Sequence, residues 1–352
     1  MAAKFFDNIK NGIFSDVCID LGTVSVLVYV KGRGIVLHEP SLAIVDKETE
    51  SIVCVGEEAR KAMGGLSDRY EVVRPLREGV ISRYKVTQQM VQHYIKKACG
   101  NKWVKPKVLV CIPSCATDVD ELAVLDAINQ AGARQTLLVE EPLAAAIGAG
   151  LDISEPKGKM VVDIGGGTTD VAVIALNGIV QSASIKIAGD MFDNEIMRYV
   201  REKYGAVISA TAAEKIKIKI GTLTQSKENK KITVNGRCIK TRMPTPITLT
   251  SNEMLGVLSQ TLTAIIESII GVINLTPPEL VRDIISTGIV MTGGGSLLSG
   301  LDSLIERLTG IPTKVAPNAL TCVTVGMGKL LDMIDEGKDE AISLARDQRN
   351  RK

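Results

Sequence analysis

MVVDIGGGTTDVAVIAL, residues 160–176, is an apolar run interrupted by two acids, three glycines and two threonines. Its spacing predicts strand, tight turn, strand. Met160 to Val162 and Val171 to Ala175 are β-branched or small apolar residues suited to buried strands. Gly165, Gly166 and Gly167 free the backbone between them to take φ > 0 and to approach a ligand closely. A loop of bare N–H groups beside hydroxyls and carboxylates suits a phosphate with its metal ion. Taken alone, the same glycines could equally do no more than make a hairpin turn.

A second copy of the pattern favours the phosphate reading. Val17-Cys18-Ile19-Asp20-Leu21-Gly22-Thr23 leads into Val26 to Val30 and a turn at Gly32. The grammar is the same: apolar strand, Asp-x-Gly, hydroxyl, apolar strand, glycine turn. Two such hairpins about 140 residues apart predict two similar half-domains facing across a cleft, each offering an acid and a glycine turn to one nucleotide. The fold class expected is therefore α/β, an actin-like ATPase fold with two similar ribonuclease H-like domains flanking a nucleotide cleft, each carrying a smaller subdomain.

The composition agrees. At 352 residues the chain exceeds the size at which one core stops growing. Hydrophobic residues make up 45% and aromatics only 3%, so the core must be aliphatic. A formal charge of +2 shows no basic bias and argues against nucleic acid as a partner. The seven cysteines form no C-x-x-C pair and read as free thiols, and two histidines make a His-based zinc site unexpected. No run of about 18 apolar residues is evident, and no secretory signal, so neither a membrane span nor export is expected.

Other segments carry weaker signals. In residues 1–14, Phe5, Phe6, Ile9 and Ile13 share one helical face, the pattern of a membrane-interface segment or of a helix packed on its own domain. Trp103, the only tryptophan, sits in a loop as a membrane or partner anchor, or as a local packing residue. Thr117-Asp118 opens a helix whose core face is read as Val119, Leu122, Ala123, Leu125, Ala127 and Ile128. A small-residue helix after Glu140-Glu141-Pro142 crosses between the halves, and a hairpin is expected around Asn235-Gly236. Residues 345–352 hold three arginines and one lysine against one aspartate, which suits anionic lipid.

The chemistry follows from a third turn. Thr292-Gly293-Gly294-Gly295-Ser296 reads as strand to helix, a seat for the nucleoside end of a nucleotide. No Walker lysine motif is present, so Mg²⁺ must neutralise much of the phosphate charge. Asp20 and Asp163 are the acids suited to hold it through water. Glu141, at the mouth of the crossing helix, and Thr168, on the phosphate loop, suit a pair that orients an attacking water.

With these residues in hand, the chain resembles the MreB family of bacterial actins over essentially its whole length. The motifs that carry the resemblance are Asp20-Leu-Gly-Thr23, Glu140 to Gly150, Val161 to Thr169, Thr276 to Leu280 and Thr292 to Leu297. The resemblance implies ATP with Mg²⁺, slow ATPase activity, and assembly into paired protofilaments of the chain with itself. It places such filaments in the cytoplasm on the inner face of the membrane, on anionic lipids, where they govern cell shape with other shape-determining or wall-synthesis proteins. It gives Glu141 and Thr168 the water-positioning role and places Glu214 and Lys217 near ribose and base. Gly22, Thr23, Val24, Gly165 to Thr168 and Gly293 to Ser296 become nucleotide contacts, and Phe5, Phe6, Ile9 and Trp103 membrane contacts. The implied subdomains are IA (residues 1–38, 73–152 and 320–352), IB (39–72), IIA (153–189 and 250–319) and IIB (190–249).

Two positions depart from the family pattern. Val24-Ser25-Val26 stands where Ala-Asn-Thr is usual, removing possible phosphate contacts, and Asp170 stands where Glu is common. A chaperone-type clamp shares the fold, but it would need a peptide-binding domain after the ATPase unit. A small-molecule kinase on the same scaffold would need an acceptor pocket with its own base.

Overall fold

The computed structural model describes residues 16–77, 79–100, 105–225, 228–338 and 344–347. The segment with Phe5, Phe6 and Ile9, the residue Trp103 and the end of the basic tail lie outside the described residues.

The first half opens with three antiparallel strands, β1 (Val17–Leu21), β2 (Ser25–Val30) and β3 (Gly34–Pro40). A small sheet follows from β4 (Ala43–Asp46), β5 (Ile52–Val55) and β6 (Tyr70–Val73), with α1 (Gly56–Ala62) between the last two. The hairpin β7 (Leu76–Arg77) and β8 (Val80–Ile81) returns the chain to α2 (Tyr84–Cys99). Then β9 (Lys107–Ile112), α3 (Asp118–Gln130) and β10 (Gln135–Glu140) lead into the crossing helix α4 (Glu141–Gly148).

The second half repeats the plan. Three antiparallel strands, β11 (Lys159–Ile164), β12 (Thr169–Ala175) and β13 (Gly178–Ile185), precede α5 (Gly189–Tyr204). β14 (Ala206–Val207), α6 (Ala210–Ile220), β15 (Lys231–Cys238) and β16 (Pro244–Thr250) form a small outer unit. The chain returns through α7 (Ser251–Leu275), α8 (Pro278–Thr287), β17 (Ile289–Thr292), α9 (Leu301–Thr309) and β18 (Thr313–Val315). The helix α10 (Cys322–Asp335) then crosses back to the first half, and β19 (Arg346–Asp347) pairs with β10.

The duplication is explicit in the strand order. One sheet runs β3-β2-β1-β9-β10-β19, the other β13-β12-β11-β17-β18. In each, three antiparallel strands meet two parallel ones at the first strand of the half, which is the strand ending in the Asp-x-Gly turn. Equivalent strand ends therefore face each other, which is why two short motifs far apart in sequence can share one ligand.

Between the sheets, α4 and α10 cross at very short range. A Cβ on Gly326 would collide with the Ala144 carbonyl, and one on Gly148 with that of Cys322. Leu143, Ala144, Ala145, Met327 and Leu330 fill this seam with Val161 and Ala172 of the second half.

Several local expectations change. Of the expected face of α3, Leu125, Ala127 and Ile128 are buried, but Val119 and Leu122 are 74% and 45% exposed, and Val124 is buried in addition. Asn235 and Gly236 lie within β15, and the turn falls after Cys238, where Arg242 takes φ 60°. A Cβ on Gly236 would come within 2.7 Å of Ile247 Cδ1 and 3.1 Å of the Val207 carbonyl, so the strand packs closely there. Among the described residues α7 is long and apolar enough to cross a membrane. Its Met254, Leu258, Leu262, Ile265, Ile269 and Val272, at helical spacing, are no more than 2% exposed within the second core, which seats it as a core helix. Seven free cysteines are present, of which only Cys115 is fully exposed.

Candidate functional site

A cavity of about 640 Å³ lies between the halves. Gly22, Thr23 and Val24 line it from one side, Gly165, Gly166, Gly167 and Thr168 from the other, with Asp20, Asp163 and Glu141 among its walls. Glu214 and Lys217 of α6 and Gly293, Gly294 and Gly295 line its far end.

None of Gly165, Gly166 and Gly167 takes φ > 0. At Gly166 and Gly167 close approach, and not backbone handedness, excludes side chains. A Cβ on Gly167 would come within 2.5 Å of Thr23 Oγ1, and one on Gly166 would overlap Val24. Gly22 is restricted too, by the Ser25 carbonyl 2.6 Å from a Cβ. The two hairpin turns thus touch across the cleft.

The second turn is held from behind. The Gly165 N–H bonds the Thr168 carbonyl at 2.9 Å, while Gly189 and Asp190, at the start of α5, donate their N–H groups to the carbonyls of Gly165 and Gly166 at 3.2 and 2.8 Å. With those carbonyls engaged by a helix N-terminus, the turn can present N–H groups to an anion.

Three acids line the cleft, Asp163 buried and Asp20 and Glu141 half-buried. Thr292 donates to Asp163 Oδ1 at 2.6 Å, and Thr324 donates to Asp20 Oδ2 at 3.2 Å, with the Cys111 thiol 3.5 Å from Asp20 Oδ1. Burial pushes Asp20 up from the ordinary carboxylate range. Burial, then the charges of Asp170 and Asp20, push Asp163 up to about 7 against the Thr292 hydrogen bond. Glu141 is pushed well above its usual range, first by burial and then by Asp170, Asp163 and Asp20. Such mutual repulsion among carboxylates favours a nearby cation.

Asp170 is fully buried on β12. Its Oδ1 accepts the Ser114 N–H from the first half at 3.0 Å, and burial raises it to about 6. Lys217 Nζ donates to the Gly189 carbonyl and to Asp193 Oδ2, at 2.9 and 3.0 Å, so its ammonium is already engaged within the second half.

The third turn differs from expectation. Gly294–Leu297 is a single 3₁₀ turn and α9 starts only at Leu301, so the third turn does not run directly into a long helix. Ser296 is 1% exposed and donates to the Gly293 carbonyl at 2.6 Å, so it braces the turn from outside the cavity wall. Bare backbone is required here: Gly293 takes φ 79°, and a Cβ on it would press on the Ile164 carbonyl.

Residues not singled out from sequence also belong to the site. Gly79, at the tip of the β7–β8 hairpin, donates to Thr23 Oγ1 at 3.3 Å, and a Cβ there would meet Pro113 Cγ at 2.7 Å and Thr168 Cγ2 at 3.0 Å. Thr292 braces Asp163 because β17 runs parallel to β11 and sets the two opposite each other, a register that no local signal gives. Thr324 lies 304 positions from Asp20, and no local signal marks it.

Comparison with known proteins converges on one group. The sequence model of the MreB/Mbl protein family matches residues 14–339. The cell shape-determining protein MreB of Escherichia coli strain K12 is 47% identical over 92% of this chain and 95% of its own. The cell shape-determining protein Mbl of Bacillus subtilis strain 168 is 44% identical over 91% and 97%. Among solved structures, MreB5 of Spiroplasma citri bound to ADP superposes with a TM-score of 0.88 at 34% identity, covering 93% of this chain and 98% of that one. The same protein bound to AMPPNP gives 0.87 at 34% identity, covering 92% and 97%. The MamK double helical filament matches in fold alone, with a TM-score of 0.77 at 22% identity over 91% and 99%.

Proposed function

The chain belongs to the MreB/Mbl family and has the actin-like ATPase fold; on that premise we propose that it is an ATP-binding, ATP-hydrolysing cytoskeletal protein that polymerises into membrane-associated filaments controlling cell shape. One observation carries the reading: two hairpins from equivalent strands, each with an Asp-x-Gly turn ending in a threonine, face one cavity that Glu141 also lines. A relative at 34% identity binds ADP and AMPPNP, which supports a nucleotide in that cavity.

The phosphates lie between the turns Gly22–Val24 and Gly165–Thr168, and the nucleoside end lies toward Glu214, Lys217 and Gly293 to Gly295. Among the described residues no three His, Cys, Asp or Glu side chains cluster as a direct metal cage. Asp20 and Asp163 still fit magnesium, which keeps its own waters and takes few carboxylates, and crowding of the acids favours a cation. They would hold it through water, and it would supply charge neutralisation for the phosphates.

Glu141 and Thr168 orient the attacking water, Glu141 as acceptor of its proton. A carboxyl raised by burial is a stronger base once the cation and phosphates are in place. Positioned acid–base groups of this kind contribute roughly 10²–10⁴-fold, in keeping with a slow ATPase. Filaments form from the chain with itself, paired, on the inner face of the cytoplasmic membrane; Phe5, Phe6, Ile9 and Trp103 are the proposed lipid contacts. The test is phosphate release by purified protein with ATP and Mg²⁺, with and without anionic liposomes. Release that needs Mg²⁺, with co-sedimentation on the liposomes, supports the proposal; no nucleotide binding at all overturns it.

A further inference from the structure

The acids of the two halves are braced by the same chemistry delivered from unrelated elements. Asp163, near the end of β11, receives a 2.6 Å hydrogen bond on Oδ1 from Thr292 of the neighbouring strand β17. Asp20, near the end of β1, receives one on Oδ2 at 3.2 Å from Thr324 in the first turns of α10. Both threonines are fully buried, and neither lines the cavity. A threonine hydroxyl facing a carboxylate can only donate, so each bond stabilises the ionised acid and fixes the rotation of its plane.

The two braces are not equal. Asp163 has one short bond, and a Cβ on Gly293 would come within 2.9 Å of the same oxygen, so Oδ1 is confined and the hydrogen bonds of the described residues leave Oδ2 unclaimed. Asp20 has both oxygens engaged, by the longer Thr324 bond and by the weak Cys111 thiol donor. We propose that Thr292 and Thr324 are positioning residues for a hydrated divalent cation, with Thr292 dominant because it sets Asp163 Oδ2 toward the cleft. The proposal rests on the nucleotide reading above and adds to it the residues that control the metal-dependent share of affinity. Loss of an outer partner of this kind typically costs on the order of 10- to 100-fold in metal affinity.

The experiment measures ADP affinity by fluorescent-analogue titration, once with Mg²⁺ and once in EDTA, for the wild type, Thr292→Val, Thr292→Ser and Thr324→Val, with thermal melts as a check on folding. Thr292→Val keeps the shape and removes the donor; Thr292→Ser keeps the donor. The expected result is a loss of roughly tenfold or more for Thr292→Val with Mg²⁺ and little change in EDTA, near-complete recovery in Thr292→Ser, and a smaller Mg²⁺-specific loss in Thr324→Val. Equal losses with Mg²⁺ and in EDTA, no loss in Thr292→Val, or failure of Thr292→Ser to recover would each overturn it. Absence of ADP binding by the wild type would instead count against the nucleotide reading itself.

Discussion

Val24 packs its side chain against Gly166 across the cleft, so tightly that a Cβ on Gly166 would overlap it. The contact joins the first turn to the second turn. It gives Val24 a physical role: an apolar spacer between the two glycine turns.

Gly166→Ala should therefore push the turns apart and weaken nucleotide binding by about tenfold, the scale of one to three kcal/mol for overpacking. Val24→Ala alone should bind at least as well as wild type, and the double variant should recover part of the loss. Titration of ADP affinity in the four proteins reads this directly. An equal loss from Gly166→Ala in both backgrounds would show that the contact does not matter.

Glu141 stands at the first position of α4, half-buried and near the charges of Asp170, Asp163 and Asp20. Glu141→Ala should lower the rate of phosphate release by roughly 10²–10⁴-fold while ADP affinity changes little. Single-turnover phosphate release and equilibrium binding, measured side by side, separate the two effects. Parallel loss of both would assign Glu141 to binding.

Asp163 is raised to about 7, and Asp170 to about 6, chiefly by burial. For groups raised above their unfolded values, the stabilisation is fully present below the unfolded pKa and is lost as pH rises through the folded pKa. Glu253, lowered to about 2, stays ionised throughout this range and leaves the trend unaltered. The nucleotide-free protein should melt at lower temperature at pH 8 than at pH 6. Asp163→Asn should flatten that dependence, and ADP with Mg²⁺ should reduce it. A melting temperature that rises from pH 6 to pH 8 would contradict the assignment.

Arg74 reaches across the cleft from the first half to Asp190 at the start of α5, with Nη1 at 3.1 and 2.9 Å from its two carboxylate oxygens. Asp190 also donates its N–H to the Gly166 carbonyl, so the ion pair ties the rim of one half to the phosphate turn of the other. Both side chains are about a third exposed, which limits the pair to about 1 kcal/mol or less. Arg74→Ala should accordingly speed ADP release by up to about fivefold, and the charge-swapped pair Arg74→Asp with Asp190→Arg should restore part of it. Stopped-flow dissociation rates are the readout.

How far the sequence spoke for itself depended on distance along the chain. The duplicated half-domain was legible because each copy is local: strand, acid, glycine turn and strand fit within about twenty residues, and the apolar runs leave little choice of structure. Glu141 was legible through its place at the mouth of the crossing helix. Thr324, Gly79 and the bracing role of Thr292 were not, because each acts on a partner in another strand or helix and needs the sheet register to be seen. Val119 and Leu122 misled because apolar residues on both sides of α3 leave its facing undetermined until the sheet it packs on is known. Ser296 misled because a hydroxyl beside a glycine turn reads as a ligand contact, whereas here it closes the turn on itself.

On the proposed function, nucleotide state in this cleft governs self-assembly. Sedimentation with electron microscopy of the purified protein, in ATP, in ADP and without nucleotide, tests it most directly, with Glu141→Ala alongside. Paired filaments should pellet in ATP and Mg²⁺, with fewer of them in ADP and longer-lived ATP filaments for Glu141→Ala. Filaments indifferent to nucleotide, or none under any condition together with phosphate transfer to a small acceptor, would contradict it.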